Sequence, residues 1–414
     1  MGARMAGSIV SAGARQLMQG QRPSFRDLAL GPAPMRHMAN ELANMRGAAM
    51  KVGQLLSMDT GDVLPVEVTE ILSRLRADAH FLPPQQLRDV LDAEWGRGWY
   101  RRFKKFDVRP MAAASIGQVH RATLPSGQEV AVKVQYPGVA ESIDSDLANV
   151  SALIRRMGVL PKGFDIVPFL EEARQQLQEE TDYRREAGEL VAFAKLLDGY
   201  DGLRLPRVVQ NFSTNRVLAM TFETGLPIDT LVDASQSVRD RVATRLVRLV
   251  LAEMFDFGRM QTDPNFANYL FDAETDQVVL LDFGASRELS HTTVDAYRAA
   301  LRAGLSGDQE ALIASLHGLG ALGGAVDPAH TQMILQMADL AFDAMRGHDL
   351  DFGRSDLPRR LQAMGEDLAR QGYAPDHAPP DAMFIQRKLG GTFLLCHRLR
   401  ATVPIGDLVA PYVA

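Results

Sequence analysis

The sequence predicts an α+β fold, in which a helical N-terminal part precedes a segment of mixed strands and helices and a largely helical C-terminal part. Apolar residues recur every three or four positions over much of the first hundred residues, as in amphipathic helices. From about residue 101 to 135 the composition changes to Val, Phe and Gly around a turn at residues 124–127, which predicts strand, turn and strand. A chain of 414 residues with 46% apolar content is long enough for two or three domains or lobes.

Three helices are expected in the N-terminal part: one within residues 35–60, one after Pro65 and one after the Pro83-Pro84 pair. Residues 1–30 are expected to form a flexible segment. Four arginines precede their first acidic residue, Asp27, among Ala, Gly, Ser and Met. This composition resembles that of an organelle transit peptide or a short surface-binding arm.

The rest of the chain alternates between the two kinds of element before it becomes helical. Residues 168–197 predict one long charged helix, and residues 207–222 return to a strand pattern. After Gly225 the pattern is mostly helical to about residue 400, apart from one hairpin expected at residues 268–284.

Composition excludes several classes of protein. A net charge of -6 and an isoelectric point near 5.9 argue against a nucleic-acid binder, which needs a basic surplus to neutralise phosphates. The single cysteine, Cys396, excludes an internal disulfide and a zinc site built from several cysteines, and its apolar neighbours predict a core position. The sequence contains no run of about eighteen uncharged apolar residues, so no membrane-spanning helix is expected.

An Ala-rich loop is the first motif with chemical content. Ala112, Ala114, Gly117 and Val119 stand where the nucleotide loop G-x-G-x-x-G-x-V of kinases has its glycines and valine, so two glycines of three are replaced. The sequence VAVK, which ends at Lys133, then matches V-A-I-K, whose lysine contacts nucleotide phosphates. An ordinary Ala-rich helix start is the alternative for the loop taken alone.

Two acidic motifs follow in the order that a kinase site requires. The segment QTDPNFAN places Asp263 and Asn268 at the D-x-x-x-x-N spacing of a catalytic loop, and LLDFG supplies Asp282. In such a site Asn268 and Asp282 hold Mg²⁺, while Asp263 orients or deprotonates the attacking hydroxyl. The alternative is that Asp263 caps a turn before Pro264 and Asp282 ends a strand, but four motifs in order favour the kinase interpretation.

A glutamate on the helix between these motifs should pair with Lys133. Periodicity leaves six candidates open: Glu171, Glu172, Glu179, Glu180, Glu186 and Glu189.

The chain resembles the UbiB (ADCK) family of atypical protein-kinase-like proteins, which are associated with ubiquinone biosynthesis, from about residue 38 to the C-terminus. Lys51 to Gln54 match the K-x-G-Q signature, residues 112–115 match AAAS, and Glu180 to Asp182 match E-x-D. The QTDPNFAN and LLDFGASRE segments match the catalytic and metal-binding segments of the family. The resemblance implies a protein-kinase-like, two-lobed fold with a helical N-terminal extension that carries K-x-G-Q. We expect the extension at residues 31–100, the N-lobe at 101–225 and the C-lobe at 226–414.

The resemblance also assigns roles to residues, and it selects Glu186 as the partner of Lys133. The expected catalytic residues are Asp263, Lys133, Glu186 and Lys51. The expected nucleotide-binding residues are Ala112, Ala113, Ala114, Ser115, Gly117, Val119, Lys133 and Glu223, with adenine meeting residues 220–223. Asn268 and Asp282 are the expected metal ligands, and Lys51, Gln54, Glu180 and Asp182 are expected to be regulatory.

The expected activity is Mg²⁺-dependent binding of ATP or ADP with slow ATP hydrolysis, in support of ubiquinone biosynthesis. No A-P-E segment follows Asp282, which disfavours peptide substrates. A small-molecule or lipid kinase and a non-catalytic, nucleotide-gated scaffold are the alternatives. By resemblance, the partners are lipid or quinone precursors, a membrane surface and ubiquinone biosynthesis proteins, and a homodimer is left open. The location would be peripheral to the membrane on the cytoplasmic side in a bacterium, or on the mitochondrial matrix side if residues 1–30 are a transit peptide.

Overall fold

The computed structural model describes residues 45–59, 81–157, 165–323, 327–347, 349–373 and 379–413. Residues 1–30, the first part of the expected extension at 31–44 and the helix expected after Pro65 lie outside the described residues. The chain forms two compact units, the first ending at Gly188 and including Arg207–Phe222, the second comprising Glu189–Pro206 and Glu223–Ala414.

The helices, numbered in chain order, are α1 (Arg46–Asp59), α2 (Pro84–Trp95), α3 (Val139–Met157), α4 (Val167–Glu180), α5 (Tyr183–Leu196), α6 (Gln236–Phe255), α7 (His291–Ser306), α8 (Gln309–Gly318), α9 (Pro328–Arg346), α10 (Leu357–Arg370), α11 (Pro380–Arg398) and α12 (Ile405–Val409). The strands are β1 (Lys105–Phe106), β2 (Ala112–Ala113), β3 (Gly117–Thr123), β4 (Glu129–Gln135), β5 (Leu203–Arg204), β6 (Val217–Thr221), β7 (Leu226–Pro227), β8 (Arg259–Gln261), β9 (Tyr269–Asp272), β10 (Gln277–Leu280), β11 (Ser286–Glu288), β12 (Leu350–Asp351) and β13 (Thr402–Val403).

The first unit is built on an antiparallel sheet in the order β1-β3-β4-β6, with β2 added to β3. Alternate residues of β4, Val130, Val132 and Val134, are fully buried in a core that includes residues of α2 and the rings of Trp99 and Phe103. Lys133 lies between these valines in sequence and therefore points to the opposite face of the sheet. The strand, turn and strand expected at residues 101–135 are confirmed.

The single helix expected at residues 168–197 is wrong, because the chain breaks into α4 and α5 at Thr181 and Asp182. Asp182 Oδ1 accepts hydrogen bonds from the backbone N–H groups of Arg184 at 3.0 Å and Arg185 at 3.1 Å. A carboxylate in this position caps a new helix, since it satisfies donors that the first turn leaves without partners. The cap starts a second helix although the charge pattern of the sequence continues without a break.

The second unit is mainly helical, as expected, and its centre is α6, whose residues 249–255 are all buried. The hairpin expected at residues 268–284 is present as β9 and β10, inside a sheet in the order β5-β10-β9-β7. A separate pair joins β8 to β11. In the sequence, the QTDPNFAN motif connects β8 to β9, and the LLDFG motif connects β10 to β11.

Two expectations from the composition, on membrane-spanning helices and on Cys396, can be compared with the structure. Within the described ranges, no helix is both long and apolar enough to cross a membrane. Cys396 is fully buried in α11, and this burial raises the pKa of its thiol to about 12. The cysteine therefore belongs to the core, as its apolar neighbours in the sequence predict.

Candidate functional site

The Ala-rich loop is a tight turn between β2 and β3. The Ala114 N–H donates to the Gly117 carbonyl at 2.8 Å, and Ala112 and Ala113 pair with Val119 and Gln118. The segment is therefore strand and turn, and the alternative of a helix start is wrong. Among the described residues only Asp276 and Arg400 combine a side chain with a positive φ, so the alanines of the loop have ordinary backbone angles. Alanine fits there for that reason.

Gly117, the glycine that the loop retains, is required by space. A Cβ atom at this position would lie 2.4 Å from the carbonyl oxygen of Val134 and 3.0 Å from the hydroxyl oxygen of Tyr183. The Val134 carbonyl belongs to the backbone of the neighbouring strand β4, which cannot move without disturbing the sheet. No side chain is accommodated at residue 117 without displacement of this strand.

Lys133 is held by Glu186. Its Nζ donates to Oε1 of Glu186 at 2.8 Å and to Oε2 at 2.9 Å, and the two residues are 8% and 2% exposed. The ring of Tyr183 lies 5.1 Å from the same ammonium group. Among the six candidate glutamates, Glu186 is the one for which the structure shows this contact. A buried charge pair of this kind fixes the lysine, because removal of either partner leaves an uncompensated charge.

Helix α1 lies against the Ala-rich loop. Lys51, which is 4% exposed, forms an ion pair with Glu180, and Glu180 also accepts a hydrogen bond from the hydroxyl of Ser115. A Cβ atom at Gly47 would lie 3.3 Å from the Ser115 carbonyl oxygen and 3.4 Å from Cγ2 of Ile116. Lys51 and Ser115 are thus linked through one carboxylate. The side chain of Gln54 lies outside the described atoms, and that of Asp182 caps α5.

In the second unit, two strand pairs position the acidic motifs. Gln261 of β8 pairs with Ser286 of β11, and Tyr269 of β9 pairs with Leu280 of β10. The pairing continues beyond the strands, because the Leu281 N–H donates to the Asn268 carbonyl at 2.9 Å and the Thr262 hydroxyl donates to the Ala285 carbonyl at 2.7 Å. The loop of residues 262–268 and the segment of residues 281–285 therefore run side by side.

Asp263 and Asn268 are joined by a hydrogen bond, and Asp282 lies on the segment that runs beside them. Asn268 Nδ2 donates to Asp263 Oδ2 at 3.1 Å, while Asp263 Oδ1 accepts from the Asn265 N–H at 3.3 Å. Asp282 Oδ1 accepts from the Gly284 N–H at 2.8 Å. Asp263 does cap a local turn, as the alternative interpretation has it, but its second oxygen is directed to Asn268.

This donor set fits a magnesium ion. The carboxylate of Asp282 and the amide oxygen of Asn268 are hard oxygen ligands, and the amide nitrogen of Asn268 already donates to Asp263. No cluster of three or more His, Cys, Asp and Glu side chains that could hold a metal occurs in the described part of the chain. A cation here would therefore complete its coordination with water and phosphate oxygens, as Mg²⁺ does in phosphoryl-transfer sites.

Comparison with known proteins places the chain in a family. A sequence profile of the ABC1 atypical kinase-like domain matches residues 74–316, which is more than half of the chain. The atypical kinase COQ8B, mitochondrial, of Rattus norvegicus is 39% identical over 384 residues, which cover 92% of this chain and 72% of that protein. The chain belongs to the ABC1, or UbiB, family of atypical kinases.

Further relatives agree with the ABC1 assignment. The atypical kinase COQ8, mitochondrial, of Saccharomyces cerevisiae is 37% identical over 406 residues, covering 97% of this chain and 80% of that protein. Among solved structures, that of Rv3197 from Mycobacterium tuberculosis in complex with erythromycin has 26% identity and a TM-score of 0.64, covering 92% of this chain and 97% of that one. The α+β, kinase-like fold expected from the motifs is thus confirmed for this ABC1-family chain.

Glu223 has an ion-pair partner, Arg204, that the sequence did not predict. Its carboxylate forms an ion pair with Arg204, whose Nε lies 2.9 Å from Glu223 Oε2, and Arg204 Nη2 donates to Asp272 Oδ2 at 2.9 Å. The hydrogen bonds to Arg204 hold the pKa of Asp272 below its usual value. The contact of Glu223 with a nucleotide stays a prediction.

The second unit also contains a buried polar cluster that the sequence did not predict. Lys388 of α11 is 1% exposed and lies beside Glu253, Gln261 and Tyr269. The only signal in the sequence was a lysine within the largely apolar stretch 384–396, and such a residue is more often exposed at a helix edge. The cluster could be recognised only once α6, β8, β9 and α11 were placed side by side.

Proposed function

We propose that the chain binds ATP or ADP together with Mg²⁺, hydrolyses ATP slowly and thereby supports the biosynthesis of an isoprenoid quinone such as ubiquinone. The observation that carries this proposal is the buried ion pair between Lys133 and Glu186. An amino group that is buried, paired with a carboxylate and fixed on a strand beside a nucleotide-type loop is suited to contact phosphate oxygens. Membership of an atypical kinase family supports the same conclusion.

The roles of the remaining residues follow from their chemistry. N–H groups of the Ala-rich loop at residues 112–117, other than that of Ala114, which donates to Gly117, would face the phosphates, and Asn268 and Asp282 would bind the metal. The metal neutralises charge on the phosphate oxygens when it is bound. Asp263 would accept a proton from the attacking water. The oxygen of that water forms a bond to the terminal phosphorus, and the bond from this phosphorus to ADP breaks. The contact with Asn268 holds the Asp263 carboxylate in a defined orientation.

Hydrolysis is favoured over phosphorylation of peptides. Helix α1 lies against the Ala-rich loop through the Lys51, Glu180 and Ser115 contacts, where an extended peptide approaching the loop would meet it. An A-P-E segment, which supports a peptide in typical kinases, is absent after Asp282. Lipid or quinone precursors at a membrane surface are the substrates or ligands that we propose by family resemblance.

The metal site gives the first test. In a thermal unfolding assay, ATP with Mg²⁺ should raise the Tm of the wild-type chain, and Asp282→Asn should lose the part of this shift that depends on Mg²⁺. At a ligand concentration of about 100 times Kd, binding stabilises the folded state by about 2.7 kcal/mol, which is readily seen. Asp295→Asn is a matched control, because Asp295 is an exposed residue paired with Arg298 on the surface of α7. An undiminished shift in Asp282→Asn would contradict the metal assignment.

Hydrolysis and biological role need separate measurements. Asp263→Asn should keep nucleotide binding and lose ATP hydrolysis, because the amide does not accept the proton. A strain that lacks its own family member should recover its quinone content with the wild-type gene and not with Asp282→Asn. Binding without hydrolysis in the wild type, together with recovery by Asp263→Asn, would instead support the nucleotide-gated scaffold.

A further inference from the structure

Lys388 is an ammonium group enclosed by protein. It extends from α11 with 1% of its surface exposed, and its Nζ donates to Gln261 Oε1 at 2.9 Å and to the Tyr269 hydroxyl at 3.0 Å. Glu253 Oε2 of α6 lies 3.6 Å from the same Nζ. Enclosing a lysine is costly unless its charge is compensated, and here a carboxylate, an amide oxygen and a hydroxyl surround the ammonium group.

The two hydrogen-bond acceptors flank the loop of residues 262–268. Gln261 is the last residue of β8 and stands two positions before Asp263, and Tyr269 is the first residue of β9 and directly follows Asn268. One ammonium group therefore joins the strand that enters the loop to the strand that leaves it. The Gln261 N–H, at 3.4 Å from Glu253 Oε1, adds a second link to α6.

One turn further along α11, the helix touches the loop itself. A Cβ atom at Gly391 would lie 2.3 Å from Cβ and 2.5 Å from Cγ of Pro264, the residue after Asp263. At Gly390, the neighbouring position, an added Cβ would meet nothing within 4 Å. The backbone of α11 thus supports the loop at Pro264, while Lys388 holds its two ends.

The cluster keeps the lysine charged. Burial lowers the pKa of Lys388, but the neighbouring Glu253 carboxylate and the hydrogen bond to the Tyr269 hydroxyl outweigh the burial, so the net pKa lies above the ordinary value. A charged ammonium forms stronger hydrogen bonds to Gln261 and Tyr269 than a neutral amine does.

We propose that Lys388 is a positioning residue, which together with Gly391 fixes the loop of residues 262–268 so that Asp263 and Asn268 keep their places for phosphoryl chemistry. This inference rests on the proposed nucleotide function, and it adds a residue that acts on the reaction from beneath the loop. Lys388 does not contact the nucleotide, since Gln261, Tyr269 and Glu253 surround its charged end.

Replacement of Lys388 by methionine tests the proposal, because Met has a similar length and no charge. With the full chain, we expect kcat for ATP hydrolysis to fall roughly ten- to hundredfold, since misplacement of a reacting group by about 1 Å costs that much. The Kd for ADP without Mg²⁺ should stay within about threefold, because the phosphate contacts proposed for Lys133 and the Ala-rich loop are untouched. Rates are expressed per ADP-binding site, which removes any effect of unfolded protein.

The two glycines of α11 give a second, independent pair of variants. Gly391→Ala should displace Pro264 and lower kcat in the same direction as Lys388→Met. Gly390→Ala should leave kcat unchanged, because its methyl group projects into open space. This pair decides the question if Lys388→Met does not fold.

Amide hydrogen exchange separates positioning from general stability. In Lys388→Met, the amides of residues 261–269 should exchange at least about tenfold faster while those of β10 keep their protection. The proposal is overturned by unchanged kcat and unchanged loop exchange, or by exchange that rises uniformly across the second unit. A wild-type chain that neither binds nor hydrolyses ATP would refute the proposed function instead, and the exchange of residues 261–269 would still show whether Lys388 fixes the loop.

Discussion

At the scale of single residues, Gly117 and Ala114 show how a nucleotide-type loop tolerates alanine at one position and not at another. The carbonyl oxygen of Val134 would lie 2.4 Å from a Cβ atom at Gly117. The alanines of the loop have ordinary φ angles, so a methyl group costs them nothing in backbone strain. The pattern of two alanines and one glycine therefore follows from local sterics and leaves the backbone N–H groups of the turn in place.

Ala114→Gly tests what the methyl group does for ligand choice. Glycine gives the turn more freedom and lets its N–H groups approach a terminal phosphate differently, so we expect the ratio of ATP to ADP affinity to change. Stability should fall by less than about 1 kcal/mol, because only unfolded-state freedom is gained. Titration of both nucleotides against the wild type and the variant measures the ratio.

Gly117→Ala serves as the contrast to Ala114→Gly. It should lose roughly 1–3 kcal/mol of stability by overpacking against β4. An unchanged affinity ratio in Ala114→Gly, with stability reduced, would mean that the loop does not contact the phosphates.

At the scale of elements, α1 is placed on the Ala-rich loop by a glycine as well as by Lys51. A Cβ atom added at Gly47 would lie 3.3 Å from the Ser115 carbonyl oxygen, whereas one added at Gly188 of α5 would meet nothing within 4 Å. In an open helical position, exchange of glycine for alanine stabilises a helix by about 1 kcal/mol. Gly188→Ala should therefore raise the Tm, and Gly47→Ala should fail to do so.

Nucleotide affinity provides the second measurement for this pair. A methyl group at residue 47 has to push α1 and the loop apart by a few tenths of an ångström, so we expect the Kd for ADP to change in Gly47→Ala and not in Gly188→Ala. Equal increases of Tm, with equal affinities, would show that α1 does not press on the loop.

Sequence patterns predicted the elements whose signals are local. The hairpin β9–β10 consists of two short apolar runs around a polar turn, and the VAVK strand has alternating valines, so both were predictable. The break between α4 and α5 was not predicted, because the capping side chain of Asp182 interrupts a charge pattern that otherwise continues. Lys388 was not predicted for another reason: its partners are more than a hundred residues away in sequence.

At the scale of the whole molecule, the stability of the second unit depends on pH through the buried carboxyl group of Glu253. Burial raises the pKa of Glu253 to about 7, against a usual value of 4.5, although the charge of Lys388 and the hydrogen bond from the Gln261 N–H act to lower it. The folded chain therefore binds a proton at Glu253 between about pH 4.5 and 7, where the unfolded chain has released it. Stability from this group is present below that range and is lost as the pH rises through it.

Glu253→Gln should remove this pH dependence, because an amide does not titrate. The free energy of unfolding of the wild type should fall, relative to that of the variant, by on the order of 2–3 kcal/mol between pH 5 and pH 8. Urea denaturation of both chains across this range measures the difference. Parallel stability curves for the two chains would contradict the raised pKa.

The cap at Asp182 has a consequence for how the chain tolerates insertions. Glu180 contacts Lys51 and Ser115, Asp182 begins α5, and Glu186 contacts Lys133 from the first turn of that helix. A single extra residue between Asp182 and Glu186 would rotate the carboxylate of Glu186 by about 100° around the helix axis and carry it away from Lys133. The number of residues between these acids thus sets the direction in which Glu186 leaves the helix. Insertions and deletions in related sequences should therefore fall outside residues 180–186.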